Sequence, residues 1–205
     1  MMIGELFIAT ASKVTSDASL VQSFWAEIGK QYSHRSRRYH TLAHLEKMTA
    51  ELVMVKEQIE DFDAVVFAIV YHDVVYNATK KDNEEKSAEL ARKRLTSLSY
   101  SLSAIDRVAA HILATKSHHI SEDNDTNLFT DADLSVLGAP WEAYREYYQQ
   151  IRKEYAIYPD LLYKPGRRKV LQHFLDLPAI FKTQAFQTRY EGPARENLVR
   201  ELETL

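Results

Sequence analysis

Ala64-Val65-Val66-Phe67-Ala68-Ile69-Val70-Tyr71-His72-Asp73-Val74-Val75-Tyr76 decides the fold. Every residue of it except His72 and Asp73 is apolar. Wound as a helix, the run is apolar on every face, which marks a helix buried all round. An ionised carboxylate in such a place costs several kcal/mol unless something compensates it. Two compensations are open. The histidine and the aspartate can bond to each other, or a bound cation can hold both.

Outward from this run the periodicity is helical almost throughout, and no segment alternates as a strand between turn residues. Upstream, a short helix covers roughly residues 3–14. Ser16 or Asp17 caps a second, which turns Leu20, Phe24, Trp25 and Ile28 inward. Thr41 caps a third, running to about Ile59 with Leu45, Met48, Leu52 and Val55 on one stripe. Asp61 or Asp63 opens the buried helix. Downstream, 83–98 and a helix from Ser101 or Ser103 to Thr115 are amphipathic, and the polar residues 117–127 read as a loop. Short helices are expected over 128–137, stopped by Gly138, over 140–156, opened by Pro140 and broken by Pro159, over 167–176 after Gly166, over 179–189 after Pro178, and over 193–204. The expectation is an all-α, single-domain bundle of about ten helices. The domain takes in 1–205, with a functional core near 34–138 and the helices of 140–205 packed on it.

Composition bounds the function. The chain has 205 residues, 45% hydrophobic and 27% charged, with a formal net charge of −3. That balance is ordinary for a globular domain and does not suit broad nucleic-acid binding. There is no cysteine, so thiolate metal sites and disulfides are excluded and any metal is held by nitrogen and oxygen. Five scattered glycines form no phosphate-cradling loop. The opening Met1-Met2-Ile3-Gly4-Glu5-Leu6-Phe7 has no basic leader region, and the longest apolar stretch is too short for a bilayer, so a cytoplasmic protein without a membrane anchor is expected.

Several constellations can carry chemistry. In Tyr39-His40-Thr41-Leu42-Ala43-His44, two histidines stand one helical turn apart if the helix begins there. They can share a metal, or divide the roles of ligand and acid. In Thr130-Asp131-Ala132-Asp133-Leu134, Asp131 suits a cap and Asp133, deeper in the apolar run, suits a ligand. His111 and His118 are seven apart and share a face if their helix continues that far. Glu84 follows closely after the His-Asp pair and can orient water or a histidine. Arg38, Lys81, Lys116 and Arg167 are cations that a phosphate substrate would use.

A histidine, then His-Asp, then a distant aspartate, on an all-α chain, resembles the HD superfamily of metal-dependent phosphohydrolases. The matching residues are His44, His72-Asp73 and Asp133, over roughly residues 34–138. Tyr39-His40-Thr41-Leu42-Ala43-His44 is similar to the motif of cyclic-nucleotide phosphodiesterases, in which the second histidine binds metal and the first is the general acid. Thr41 stands where those enzymes usually have asparagine. Ala132-Asp133-Leu134-Ser135 is similar to the string that carries their last metal aspartate. With Ala114-Thr115-Lys116-Ser117-His118 and Ala194-Arg195-Glu196-Asn197-Leu198, the whole chain resembles a little-characterised branch of HD phosphohydrolases.

The resemblance implies His44, His72, Asp73 and Asp133 as metal ligands, with His40 and Asp73 in proton transfer. It implies one divalent ion (manganese, iron, cobalt, zinc or magnesium), because no histidine lies between Val74 and Ala110 to build a second site; His111 and His118 are the remaining candidates. Arg38, Lys81, Glu84, His111, Lys116, His118, Asp131 and Arg167 would contact substrate or support the ligands. The expected partner is a small phosphorylated molecule such as a nucleotide, and a homodimer is compatible with the chain. The alternative is a non-catalytic, metal-containing module that binds a nucleotide or a partner.

Overall fold

A computed structural model describes residues 2–205. Among them are ten α-helices and no strand: α1 Ile3–Ala11, α2 Ala18–Tyr32, α3 Leu42–Met54, α4 Phe62–Tyr71, α5 Asn83–Ser97, α6 Leu102–Ala114, α7 Asn124–Leu134, α8 Trp141–Glu154, α9 Asp160–Asp176 and α10 Gln184–Leu202. Single 3-10 turns occupy Lys56–Gln58 and Ser135–Gly138. The all-α class expected from the periodicity is the class observed. No helix among the described residues is long and apolar enough to cross a membrane.

Contacts group the chain into two compact units, one ending at Thr130 and one spanning Asp131–Leu205.

In the first unit α4 is the hub. It packs against α1, α3, α5 and α6, and every side chain from Ala64 to Tyr71 is out of contact with solvent. The all-round apolar pattern has this cause: a helix with neighbours on every side has no face left for water. The carboxylate of Asp61 caps α4 by accepting from the Ala64 N–H at 3.0 Å. Asp63 instead pairs with Lys13. Asp17 caps α2 and Ser101 caps α6 through the amides of Leu20 and Ala104.

Four boundaries differ from expectation. Helix α3 stops at Met54, and a 3-10 turn follows. Helix α4 stops at Tyr71, so His72 is its C-terminal cap and Asp73 lies in the turn beyond, rather than both standing mid-helix. Helix α7 begins inside the polar stretch expected to be a loop. Its Asp125, Thr126 and Asn127 side chains are buried and bonded: the Asp125 carboxylate accepts from the amides of Glu60 and Asp61, the Thr126 hydroxyl donates to the exposed Asp123, and the Asn127 side chain donates to the Ser121 carbonyl. Charge there serves as capping, which hydrophobic patterning does not reveal.

The fourth difference lies in the second unit. Helix α9 starts at Asp160 and runs through Pro165 and Gly166, where a helix was expected only from 167, and α10 runs from Gln184 through Gly192 and Pro193, where two helices, 179–189 and 193–204, were expected. Each proline removes one N–H and strains one turn, and packing outweighs that local cost. Helix α10 packs on α8, on α9 and on the Ser135–Gly138 turn. The Asn197 amide donates to the carbonyls of Leu137 and Ala139, both at 2.8 Å. Gly138 is required by this approach: a Cβ there would stand 2.7 Å from the Cβ and the carbonyl oxygen of Tyr190.

Candidate metal centre

The centre starts from the end of α4. His72 is 1% exposed, and its Nδ1 lies 2.9 Å from the Ile69 carbonyl oxygen. A carbonyl only accepts, so Nδ1 carries the proton and Nε2 presents a lone pair. A metal-binding imidazole is commonly oriented by a bond of this kind. His44, in the first turn of α3, is 3% exposed and aims its Nε2 at the same point. The two Nε2 atoms are 3.3 Å apart. Two imidazole nitrogens on one cation, with bonds of about 2.0–2.1 Å and a tetrahedral angle, stand about 3.3–3.4 Å apart. The donor pair therefore fits a shared ion.

Helix α7 supplies the carboxylate. The ring of Phe129 packs edge-on against the His72 imidazole at 6.0 Å between centroids. Asp133 is four residues later on the same helix, hence on the same face. One ligand atom each from His44, His72 and Asp133 lie within 4.8 Å of one another. This cluster could hold a metal ion. Two nitrogens and an oxygen suit the first-row transition metals.

Asp73 is close by. Its Oδ2 lies 3.2 Å from the Nε2 of His72 and 3.8 Å from the Nε2 of His40. His40 precedes α3, so it does not share a helix face with His44 as expected; a turn brings it back, with the two rings 6.0 Å apart. Tyr76 stacks on His40 at 4.4 Å between centroids. His40 and Asp73 are both largely screened from solvent, at 18% and 17% side-chain exposure.

The other expected residues have varied surroundings. Arg38 and Lys81 are exposed, and Glu84 is half-buried in the first turn of α5. The Lys116 ammonium pairs with Glu85 and donates to the Lys81 carbonyl at 3.0 Å. Helix α6 ends at Ala114, and His118 has a left-handed backbone (φ 52°), so His111 and His118 do not share a helix face. Asp131 does not cap its own helix. Its carboxylate accepts from the amides of Lys182 and Thr183 at 2.9 and 2.8 Å and from the Thr183 hydroxyl, just ahead of α10. Burial pushes the Lys182 amine below its ordinary range, against the pull of Asp131 at 3.1 Å. Arg167 is not a solvent-facing phosphate ligand: its guanidinium forms a two-pronged pair with Glu201, at 2.7 and 2.9 Å, in the interior of the second unit.

His111 is wholly buried, with Nδ1 2.8 Å from the Thr126 hydroxyl, which in turn donates to Asp123. Its Nε2 has no hydrogen-bond partner among the described residues. Burial pushes the imidazole below its ordinary pKa, and Arg107 adds to this, while Asp123, Asp125 and Asp61 oppose it. The fold therefore favours neutral His111. The sign follows from linkage: the contribution is complete above the unfolded pKa, near 6.5, and is lost as pH falls towards the folded one. Thermal melts should show the wild type losing stability from pH 7 to pH 5 more steeply than His111→Gln. Parallel curves would remove His111 from the acid response.

No family model matches this chain, and neither a curated protein nor a solved structure matches it.

Two residues of the centre escaped sequence reasoning. Tyr76 looked like the end of the apolar run, and Arg37 looked like one more member of a basic stretch. The neighbouring Arg37-Arg38 pair offers no local signal that the first is buried and the second exposed.

Proposed function

We propose that the chain is a metal-dependent phosphohydrolase that cleaves a small phosphomonoester or phosphodiester, a nucleotide being the leading candidate. The observation that carries this reading is the 3.3 Å approach of the His44 and His72 nitrogens beside Asp133, with Asp73 and His40 at its edge. A divalent cation held by His44, His72 and Asp133 would polarise a phosphoryl oxygen and acidify water. Asp73 is the group to accept the proton of the attacking water, because its carboxylate lies within reach of both His72 and His40. His40 is the group to protonate the leaving oxygen, since it approaches the centre without belonging to the set of mutually close ligand atoms. Arg38, exposed beside this segment, is the cation best suited to draw in a phosphate.

The test starts with purified chain loaded in turn with manganese, iron(II), cobalt, zinc and magnesium. Each form is assayed against p-nitrophenyl phosphate, bis(p-nitrophenyl) phosphate and a panel of mono-, di- and cyclic nucleotides. Hydrolysis that depends on one of these ions supports the reading. A chain that binds metal stoichiometrically and turns over nothing in the panel is a binding module instead. In an active form, His40→Ala should keep its metal and lose about 10²- to 10⁴-fold in kcat on substrates with poor leaving groups, and far less on p-nitrophenyl esters. Loss of metal in that variant would make His40 a ligand rather than the acid.

A further inference from the structure

We propose that Arg37 is a positioning residue that locks the two histidine-bearing segments of the metal centre to each other; its catalytic consequence rests on the function proposed above. Arg37 is 6% exposed, although it stands in the basic stretch His34–Arg38. One guanidinium nitrogen donates to the carbonyl of His40 at 3.1 Å. The other terminal nitrogen donates to the carbonyl of Val74 at 3.0 Å. The first carbonyl belongs to the turn that carries His40, and the second to the turn that follows His72 and Asp73. These turns are far apart along the chain, and neither is helical, so helix hydrogen bonding does not set their spacing.

The guanidinium also lies 4.7 Å from the ring centroid of Tyr32 and 5.4 Å from that of Tyr76. Tyr76 is the same ring that stacks on His40. One planar fork thus fixes the His40 backbone, the Val74 backbone and the ring against the His40 imidazole. The far side of the second turn is held separately, where the Ser87 hydroxyl accepts from the Val75 amide at 3.1 Å. A buried guanidinium bonded to neutral carbonyls is an expensive way to gain stability alone. Its rigid, divergent donors are what a spacing device needs, and a lysine ammonium offers one point of attachment without that plane.

The experiment uses the full chain and the substitutions Arg37→Met and Arg37→Lys. The first readout needs no turnover: the ring protons of His40, shifted upfield by the stacked Tyr76 in the wild type, should move towards free-histidine values in both variants. Unchanged shifts would overturn the proposal. If Arg37→Met does not fold, Arg37→Lys, which keeps the charge, carries the measurement. The second readout is kinetic. Arg37→Met should lose on the order of 100-fold in kcat with KM unchanged, because a displacement of about 1 Å at a reacting group costs that much. Adding His40→Ala should then slow the enzyme little further than His40→Ala alone, since both act through one imidazole. Losses that multiply independently would overturn the proposal. A wild type without hydrolytic activity would refute the proposed function while leaving the His40 shifts to decide the role of Arg37.

Discussion

His72→Ala should abolish metal binding, with elemental analysis of the purified variant showing background metal where the wild type carries one equivalent. The expected loss of affinity is at least about 100-fold, because changing even a residue that merely orients a ligand typically costs 10- to 100-fold. The size of the effect follows from the position. His72 is buried, its tautomer is set by the Ile69 carbonyl, and its Nε2 has the His44 nitrogen 3.3 Å away. An alanine removes one of two convergent nitrogens and leaves the Ile69 carbonyl without that donor. Asp133→Asn is the companion variant, because it keeps the shape of the half-buried side chain and removes its charge. It should fold and still bind metal far more weakly. Full metal content in both variants would place the ion, and the chemistry assigned to it, somewhere else.

Glu201→Gln should be the most destabilising single change in the second unit, at about 3–5 kcal/mol. Glu201 and Arg167 are both buried, at 2% and 8% side-chain exposure, and meet through two parallel bonds. The Tyr144 hydroxyl also donates to Glu201, and burial pushes the Tyr144 phenol up. Neutralising the carboxylate strands a guanidinium that water cannot reach, which is the costly half of breaking an ion pair. Thermal melts should fall by roughly 10 °C or more, at about 2–4 °C per kcal/mol for a chain of this size. The double variant Glu201→Leu, Arg167→Met should recover most of the loss, because it removes both charges together. Tyr144→Phe should cost only about 1 kcal/mol, that of one hydrogen bond. A Glu201→Gln protein that melts with the wild type would show that the pair is solvated. Arg167 would then become available for a phosphate, as its sequence context suggested.

These two residues mark where sequence reading stops. Arg167 beside Arg168 looks like a solvent-facing cation pair, yet one of them is interior. Its partner lies 34 residues away, with a turn and most of α10 between them. Local reading misled in the same way at Pro193: the helices expected over 179–189 and 193–204 meet in one helix, α10, which runs through Gly192 and Pro193 and is held by its neighbours. His40 and His44 were read as one helix face, and the structure brings their rings together through a turn instead.

What the chain by itself determined is local. Apolar spacing near 3.6 residues marks most of the helices, and the all-round apolar run of Ala64–Tyr71 marks the hub, because both depend on neighbours a few residues apart. The residue types of the centre were legible too, since a histidine and an aspartate in so apolar a setting need a compensating partner. Which side chains converge was decided by tertiary structure. Asp131 and Asp133 are two residues apart and so point about 200° apart around α7. One turns to the amides ahead of α10, the other to His44 and His72. Arg37 and Arg38 are adjacent, and only Arg37 lies under Tyr32 and Tyr76. The orientation of a helix about its own axis, and the partners that meet it there, are set by packing between distant segments, which no short window of sequence contains.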